Sequence, residues 1–207
     1  MYASGAVGYN HPYILENKDT LGDIAINKTT LSDIYNVYYA DFMKTFSKYV
    51  MPDYFNKAFF IDGGSLAVEN ALKTAFDWKK RKNLENGFKQ EGDKIIYFKQ
   101  SFHGRSGYTL TLTNTSDPRK TMYFPKFPWF KIDNPKLSFP INDDVLNDVS
   151  NKEKNVIGEI NNIISENPND IAAVIIEPIQ GEGGDNHFRD DFMIKLREIC
   201  DNNDILF

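Results

Sequence analysis

The stretch Ser101-Phe102-His103-Gly104-Arg105 places an aromatic ring, an imidazole and a guanidinium within four consecutive residues. A packed core wants apolar runs, and a surface turn has little use for a Phe beside a His, so the mixture points to a ligand. Phe102 can stack on a planar group, and His103 can stack on it or hydrogen-bond to it. Arg105 presents a fork of donors that fits a carboxylate, each charge-assisted bond contributing about 1.5–3 kcal/mol where water is excluded. Taken singly, each residue has a plainer use: a core Phe, a surface His, an Arg in a salt bridge. The trio at a strand end favours function.

Two other stretches carry comparable chemistry. Gly63-Gly64-Ser65 opens a helix. There glycine lets the backbone approach closely, the free N–H groups of the first turn point at an anion, and Ser65 adds a hydroxyl. A plain helix start capped by Ser65 accounts for the same residues equally well. Further on, Ile176-Glu177-Pro178-Ile179-Gln180-Gly181-Glu182-Gly183-Gly184 delivers Glu177 at the end of an apolar strand, and Pro178 holds that residue extended. Glu182 follows on a glycine-rich loop. Two such acids can serve acid–base catalysis or a metal site; alternatively one supports a ligand while the other is a mobile counter-ion. A turn with solvated carboxylates is the bland option, and it suits Glu182 better than Glu177.

The elements that must position these residues alternate along the chain. Residues 32–50 read as a helix with an apolar stripe of Ile34, Val37, Tyr38, Phe42 and Phe46, capped by Ser32 and ended by Pro52. Residues 57–62 read as a short buried strand. Residues 66–82 form a helix with Val68, Ala71, Leu72 and Ala75 inward, and Lys73, Asp77 and Arg81 outward at i,i+4 spacing. Residues 93–98 are a strand leading into the opening stretch, and 114–140 are an ordered excursion rich in Pro and aromatics. A helix over 152–166 precedes 171–176, which is apolar on both faces like a central parallel strand. Residues 190–201 are a helix with Phe192, Leu196 and Ile199 inward, and 204–207 open one more strand.

This alternation predicts an α/β fold, a three-layer α/β/α arrangement around a mostly parallel sheet with right-handed crossovers. Ligands in such sheets sit beyond the carboxyl ends of the strands, where all three chemical stretches fall. A sequence that stops inside an apparent strand is expected to be a piece of a longer protein.

Composition narrows the options. The 207 residues are 41% hydrophobic and 26% charged, a soluble globular balance. A net charge of −5 with no dense basic stretch speaks against nucleic acid as a partner. The lone Cys200 cannot form an internal disulfide, and residues 1–12 lack the basic start and apolar core of a secretion signal, so the expected location is the cytoplasm. No apolar run approaches the roughly 18–20 residues that span a bilayer. His11, His103, His187 and Cys200 lack close ligand spacing, and no metal is expected. A nucleophile elbow, a Walker lysine and a dinucleotide fingerprint are all missing.

GGSLAVENALK (63–73), FHGRSGYTLTLTNT (102–115) and IIEPIQGEGGDNHFR (175–189) closely resemble the class III pyridoxal-phosphate aminotransferases of fold type I. The similarity runs over essentially the whole chain. Relatives usually carry Gly-Ser-Glu-Ala at the phosphate turn; Gly64-Ser65-Leu66-Ala67 is the variant associated with the branch acting on the ε-amino group of lysine.

The resemblance implies that residues 1–207 are an incomplete large, cofactor-binding domain, with an N-terminal arm and a C-terminal part outside it. It implies pyridoxal 5'-phosphate as cofactor. Gly64 and Ser65 then bind the phosphate, Phe102 stacks on the pyridine ring, His103 lies beside it, and Glu177 supports the ring-oxygen side. Arg105 clamps the α-carboxylate of lysine. Glu182 is a switch, neutralising a second arginine when lysine is bound and releasing it for 2-oxoglutarate. The reaction implied moves the ε-amino group of L-lysine to 2-oxoglutarate, giving glutamate and a semialdehyde that cyclises. The family's homodimer shares its site across the interface. Its Schiff-base lysine, its pyridinium aspartate and the second arginine would all follow residue 207, so no catalytic residue lies in this chain and the segment alone is expected to be inactive. Alternatives are a sister enzyme acting on ornithine or 4-aminobutyrate, or a short non-catalytic module that keeps the cofactor shell.

Overall fold

The computed structural model describes residues 5–27 and 35–207, which divide into two compact units, residues 1–62 and 63–207. The first unit holds α1 (Pro12–Glu16), α2 (Lys18–Ile26) and α3 (Val37–Tyr49). Asn36 caps α3, its side chain accepting the Tyr39 N–H at 2.9 Å. The helix expected over 32–50 is therefore described from Val37 on; the supposed cap Ser32 and the first stripe residue Ile34 lie outside the described residues.

The strand expected over 57–62 is not formed. A strand is defined by the neighbour that completes its ladder, and this segment has none among the described residues. Its apolar content goes into aromatic contacts instead: the Phe60 ring sits 6.3, 5.1 and 5.1 Å from Tyr39, Phe42 and Phe46 of α3.

In the second unit, β1 (Lys94–Phe98) lies between β2 (Phe130–Ile132) and β3 (Ile171–Ile175), all parallel. Leu206 extends the sheet beyond β3 through a parallel bridge to Ala173, as the run 204–207 leads one to expect. Alternate residues of β1 feed opposite faces. Ile96 and Phe98 join Ile132, Ile171 and Val174 against Val156 and Ile160 of α6 (Asp143–Glu166) and Phe192, Leu196 and Ile199 of α7 (Asp190–Asn202). Ile95 and Tyr97 join Ala172 and Ala173 against Leu72 and Ala75 of α4 (Gly64–Glu85) and Leu112 of α5 (Thr109–Leu112). The result is the expected three-layer α/β arrangement. A small antiparallel hairpin of β4 (Ile179–Gln180) and β5 (Asn186–His187) carries the glycine loop.

Three details depart from the sequence reading. Ala71 is exposed, and the inner face of α4 is Glu69, Leu72, Ala75, Lys79 and Asn83. Polar groups dock much of this helix: Lys79 Nζ donates to the Asp204 carbonyl, and Asn83 Nδ2 donates to the carbonyls of Glu91 and Asn169, all at 2.8 Å. Helix α6 starts at Asp143 rather than 152, because Asn142 accepts the Val145 N–H at 2.9 Å and Asp143 and Asp144 complement the dipole. Strand β2 lies inside the Pro-rich excursion. Among the described residues no helix is long and apolar enough to cross a membrane.

Leu196 is fully buried between α7 and the sheet. Leu196→Ala should lower stability by about 2–5 kcal/mol in denaturant unfolding; a loss below about 1 kcal/mol would show that this face is not the core.

Candidate active site

The segment that follows β1 is the hub of the site. Ser101 Oγ donates to the Leu112 carbonyl at 2.6 Å, and the Asn114 N–H donates back to the Ser101 carbonyl at 2.8 Å. These bonds tie the strand end to α5. Gly104 then turns with φ +120°, and a Cβ there would lie 2.3 Å from Ser65 Oγ and 2.9 Å from Thr109 Oγ1. Only glycine admits both that backbone angle and that approach. The start of α4 and the Phe102–Arg105 segment are therefore in direct contact.

Ser65 is not the helix cap. The cap is Gly63, no side chain among the described residues caps it, and the first helical bond runs from the Ala67 N–H to the Gly63 carbonyl at 3.1 Å. The N–H groups of Gly64, Ser65 and Leu66 precede that ladder, and among the described residues Cβ atoms built on Gly63 or Gly64 would meet nothing within 4 Å. An uncapped first turn of this kind fits an anion.

On the other side of the hub, the Phe102 N–H donates to Glu177 Oε1 at 2.7 Å. Glu177 stands two residues past the end of β3, where strand and Pro178 deliver it. Burial chiefly raises its pKa above the ordinary carboxyl range; the N–H groups of Phe102 and Gly181 pull it partly back, and the Glu182 charge adds to the rise. The Phe102 side chain remains exposed. His103 is buried, its N–H bonded to Thr113 Oγ1 at 3.1 Å while that hydroxyl donates to the Gly104 carbonyl at 2.6 Å.

Arg105 is exposed, and Nη2 donates to the Lys120 carbonyl at 3.3 Å, which among the described residues leaves most of its fork open. Glu182 Oε1 accepts from Thr115 Oγ1 at 2.7 Å and from Lys120 Nζ at 3.1 Å, while its Oε2 is buried without a partner among the described residues. The Glu182 loop is pinned from two sides. Gln180, fully buried, donates to the Lys99 carbonyl at 2.9 Å and accepts from Asn134 and Asn186 at 2.7 and 2.9 Å. A Cβ on Gly183 would lie 2.1 Å from the Gln100 carbonyl oxygen, so only glycine lets the loop press against the end of β1.

The structure thus brings Ser65 to Gly104, Phe102 to Glu177, and Arg105 to Glu182 by way of Lys120. Sequence reasoning missed Lys120 and Thr115, and also Glu69, Ser106 and Thr109. Ser106 Oγ and the N–H groups of Tyr108 and Thr109 all donate to Glu69 Oε1, at 2.8, 2.6 and 3.2 Å. The signal was available: a glutamate four residues after Ser65 shares its helix face. Among the described residues, no cluster of three or more His, Cys, Asp or Glu is placed to hold a metal. A hollow lined by Met43, Ser47, Met51 and Phe55 lies in the first unit and contains none of these groups.

Burial holds the His103 pKa down from 6.5 to about 4, and its Nε2 has no partner among the described residues. The unfolded chain takes up this proton near pH 6.5 and the folded chain only near pH 4. Between those values the unfolded state binds more protons, so stability falls as pH falls, by about 1.4 kcal/mol per pH unit for one group. His103→Gln should flatten this part of the acid limb in melting temperature against pH. Superimposable profiles would contradict the assignment.

The aminotransferase class-III family profile matches residues 1–207. The chain is 41% identical over 208 residues to an L-lysine-epsilon aminotransferase of Mycobacterium tuberculosis, covering 99% of this chain and 45% of that protein. It is 40% identical over 209 residues to the one from Streptomyces clavuligerus, covering 100% and 45%. A solved lysine aminotransferase from M. tuberculosis superposes with a TM-score of 0.91 at 41% identity, over 99% of this chain and 47% of that one. The chain spans about half the length of the relatives it matches. A loop glycine seated on Ser65, a strand-end glutamate bonded to the Phe102 amide and these whole-chain matches agree: the chain belongs to the class III aminotransferases.

Proposed function

We propose that this chain is part of the large, cofactor-binding domain of an enzyme that moves the ε-amino group of L-lysine to 2-oxoglutarate, giving glutamate and 2-aminoadipate 6-semialdehyde. The observation that carries this is the single segment 102–106, which touches both Ser65 at the uncapped helix start and Glu177 at the end of β3. That contact sets the uncapped helix start, an exposed aromatic ring and a carboxyl of raised pKa side by side, an arrangement that suits a phosphorylated aromatic aldehyde. Similarity along this chain to L-lysine-epsilon aminotransferases supports the substrate.

When bound, pyridoxal 5'-phosphate supplies the electron sink that eases proton removal at the carbon bearing the transferred nitrogen. The residues of this chain hold and orient. Gly64 and Ser65 bind the phosphate through their N–H groups and the Ser65 hydroxyl. Phe102 would stack on the pyridine ring, with neutral His103 beside it. Glu177, its ionised form disfavoured by burial, hydrogen-bonds the ring-oxygen side. Arg105 grips the α-carboxylate of lysine, leaving the ε-amine to reach the reacting carbon. Glu182 is held by Lys120 and Thr115 in the structure, and it is the carboxylate that exchanges partners when 2-oxoglutarate replaces lysine. The lysine that binds the cofactor lies in a part of the protein beyond residue 207, and the enzyme acts as a cytoplasmic homodimer.

The test is expression of the whole reading frame that contains this chain. It should form glutamate from lysine and 2-oxoglutarate only with pyridoxal phosphate present, whereas residues 1–207 alone should show neither turnover nor an absorption band of lysine-linked cofactor. In the full-length enzyme, Arg105→Ala should lower kcat/KM for lysine by about a hundredfold, the scale of a desolvated charge pair. Undiminished lysine turnover in that variant would overturn the role given to Arg105. Absent lysine turnover in the unaltered enzyme would transfer the proposal to a sister amine donor, and a reading frame without a downstream cofactor lysine would leave only a binding module.

A further inference from the structure

We propose that Glu69 is the positioning residue of the phosphate cradle: it fixes the direction of a hydroxyl relay so that Ser65 keeps a proton available for the phosphate. This rests on the cofactor reading above and goes beyond it in naming the residue that prepares the site.

Glu69 follows Ser65 by four residues on α4, so both face the same neighbour. That neighbour is the turn 106–109. Glu69 is buried, and its Oε1 accepts three donors: Ser106 Oγ at 2.8 Å, the Tyr108 N–H at 2.6 Å and the Thr109 N–H at 3.2 Å. A carboxylate oxygen only accepts, so Ser106 must spend its one hydroxyl proton on Glu69. The Ser106 oxygen is then left as an acceptor. It faces two hydroxyls, Ser65 Oγ at 2.6 Å and Thr109 Oγ1 at 2.9 Å. Either can donate to it.

That redundancy has a use. When a phosphate oxygen reaches the start of α4, Ser65 can turn its proton outward while Thr109 takes its place on Ser106. No partly buried hydroxyl of the relay then loses its partner, so the switch leaves no polar group unpaired. Without Glu69, the Ser106 proton is free to point at Ser65 or Thr109, and the relay has no fixed sense. The two backbone bonds to Glu69 also hold the turn that follows Arg105 against α4, which keeps Gly104 seated beside Ser65.

The experiment compares binding of pyridoxal 5'-phosphate and of pyridoxal, which lacks the phosphate, to the full-length apoenzyme. Glu69→Ala should weaken pyridoxal phosphate by about tenfold or more and leave pyridoxal within about twofold. Glu69→Gln keeps an acceptor oxygen at the same place and should stay within about threefold for both. Ser106→Ala breaks the relay and keeps both amide bonds to Glu69. It should reproduce the selective loss without faster hydrogen exchange at the Tyr108 and Thr109 amides, and it serves if Glu69→Ala does not fold. Equal weakening of both ligands in the alanine variants would reduce Glu69 to a merely structural role, and unchanged pyridoxal phosphate binding would overturn the proposal outright. Failure of the unaltered apoenzyme to bind pyridoxal phosphate would instead sink the proposed function.

Discussion

The contact between Gly104 and Ser65 sets the geometry on which the rest of the site depends. It joins a loop at the end of the central strand to the first turn of the helix that covers that strand's face. With no room for a side chain between them, the loop cannot slide along the helix. Everything downstream inherits that register: the Phe102 amide meets Glu177, the Thr113 hydroxyl closes the turn on the Gly104 carbonyl, and Arg105 emerges toward Lys120. The parallel sheet supplies the platform, because β1 and β3 are adjacent and end on the same side.

The charges around this contact are arranged by environment as much as by pairing. His103 is kept neutral by burial, which leaves a planar, uncharged ring next to Phe102 in the segment that meets the start of α4. Glu177 feels burial and the nearby Glu182 together, so its neutral form is favoured relative to an exposed carboxyl. Glu182 has its own counter-ion in Lys120, on the same residue whose carbonyl receives Arg105. The two groups assigned to substrate binding are thus linked through one lysine. The Glu182 backbone is pinned by Gln180 and Gly183, so any change of partner must come from its side chain.

Much of this was legible in the sequence, and the gaps have physical causes. Strands β1 and β3 announce themselves as apolar runs, and α7 shows its inward face at Phe192, Leu196 and Ile199, because apolar burial leaves a periodic trace. Strand β2 leaves none: three residues with Lys131 at their centre, set among prolines, form a strand only because β1 offers an edge. The segment 57–62 errs the other way, having strand composition without a neighbour to pair with among the described residues. On α4, Glu69, Lys79 and Asn83 are buried by hydrogen bonds to other parts of the chain, and periodicity of apolar residues placed Ala71 there instead. At the site, Gly64, Ser65, Phe102, His103, Arg105, Glu177 and Glu182 stand out by type and spacing. Lys120 and Thr115 do not, since their role depends on where the excursion after α5 returns.

The most direct test is a crystal structure of the cofactor-loaded full-length protein. The account predicts one pocket in which the phosphate lies within hydrogen-bond distance of the Gly64 and Ser65 amides, the pyridine ring rests against Phe102, and Glu177 approaches its oxygen side. A phosphate bound away from the start of α4, or a ring held with no contact to Phe102 and Glu177, would contradict it.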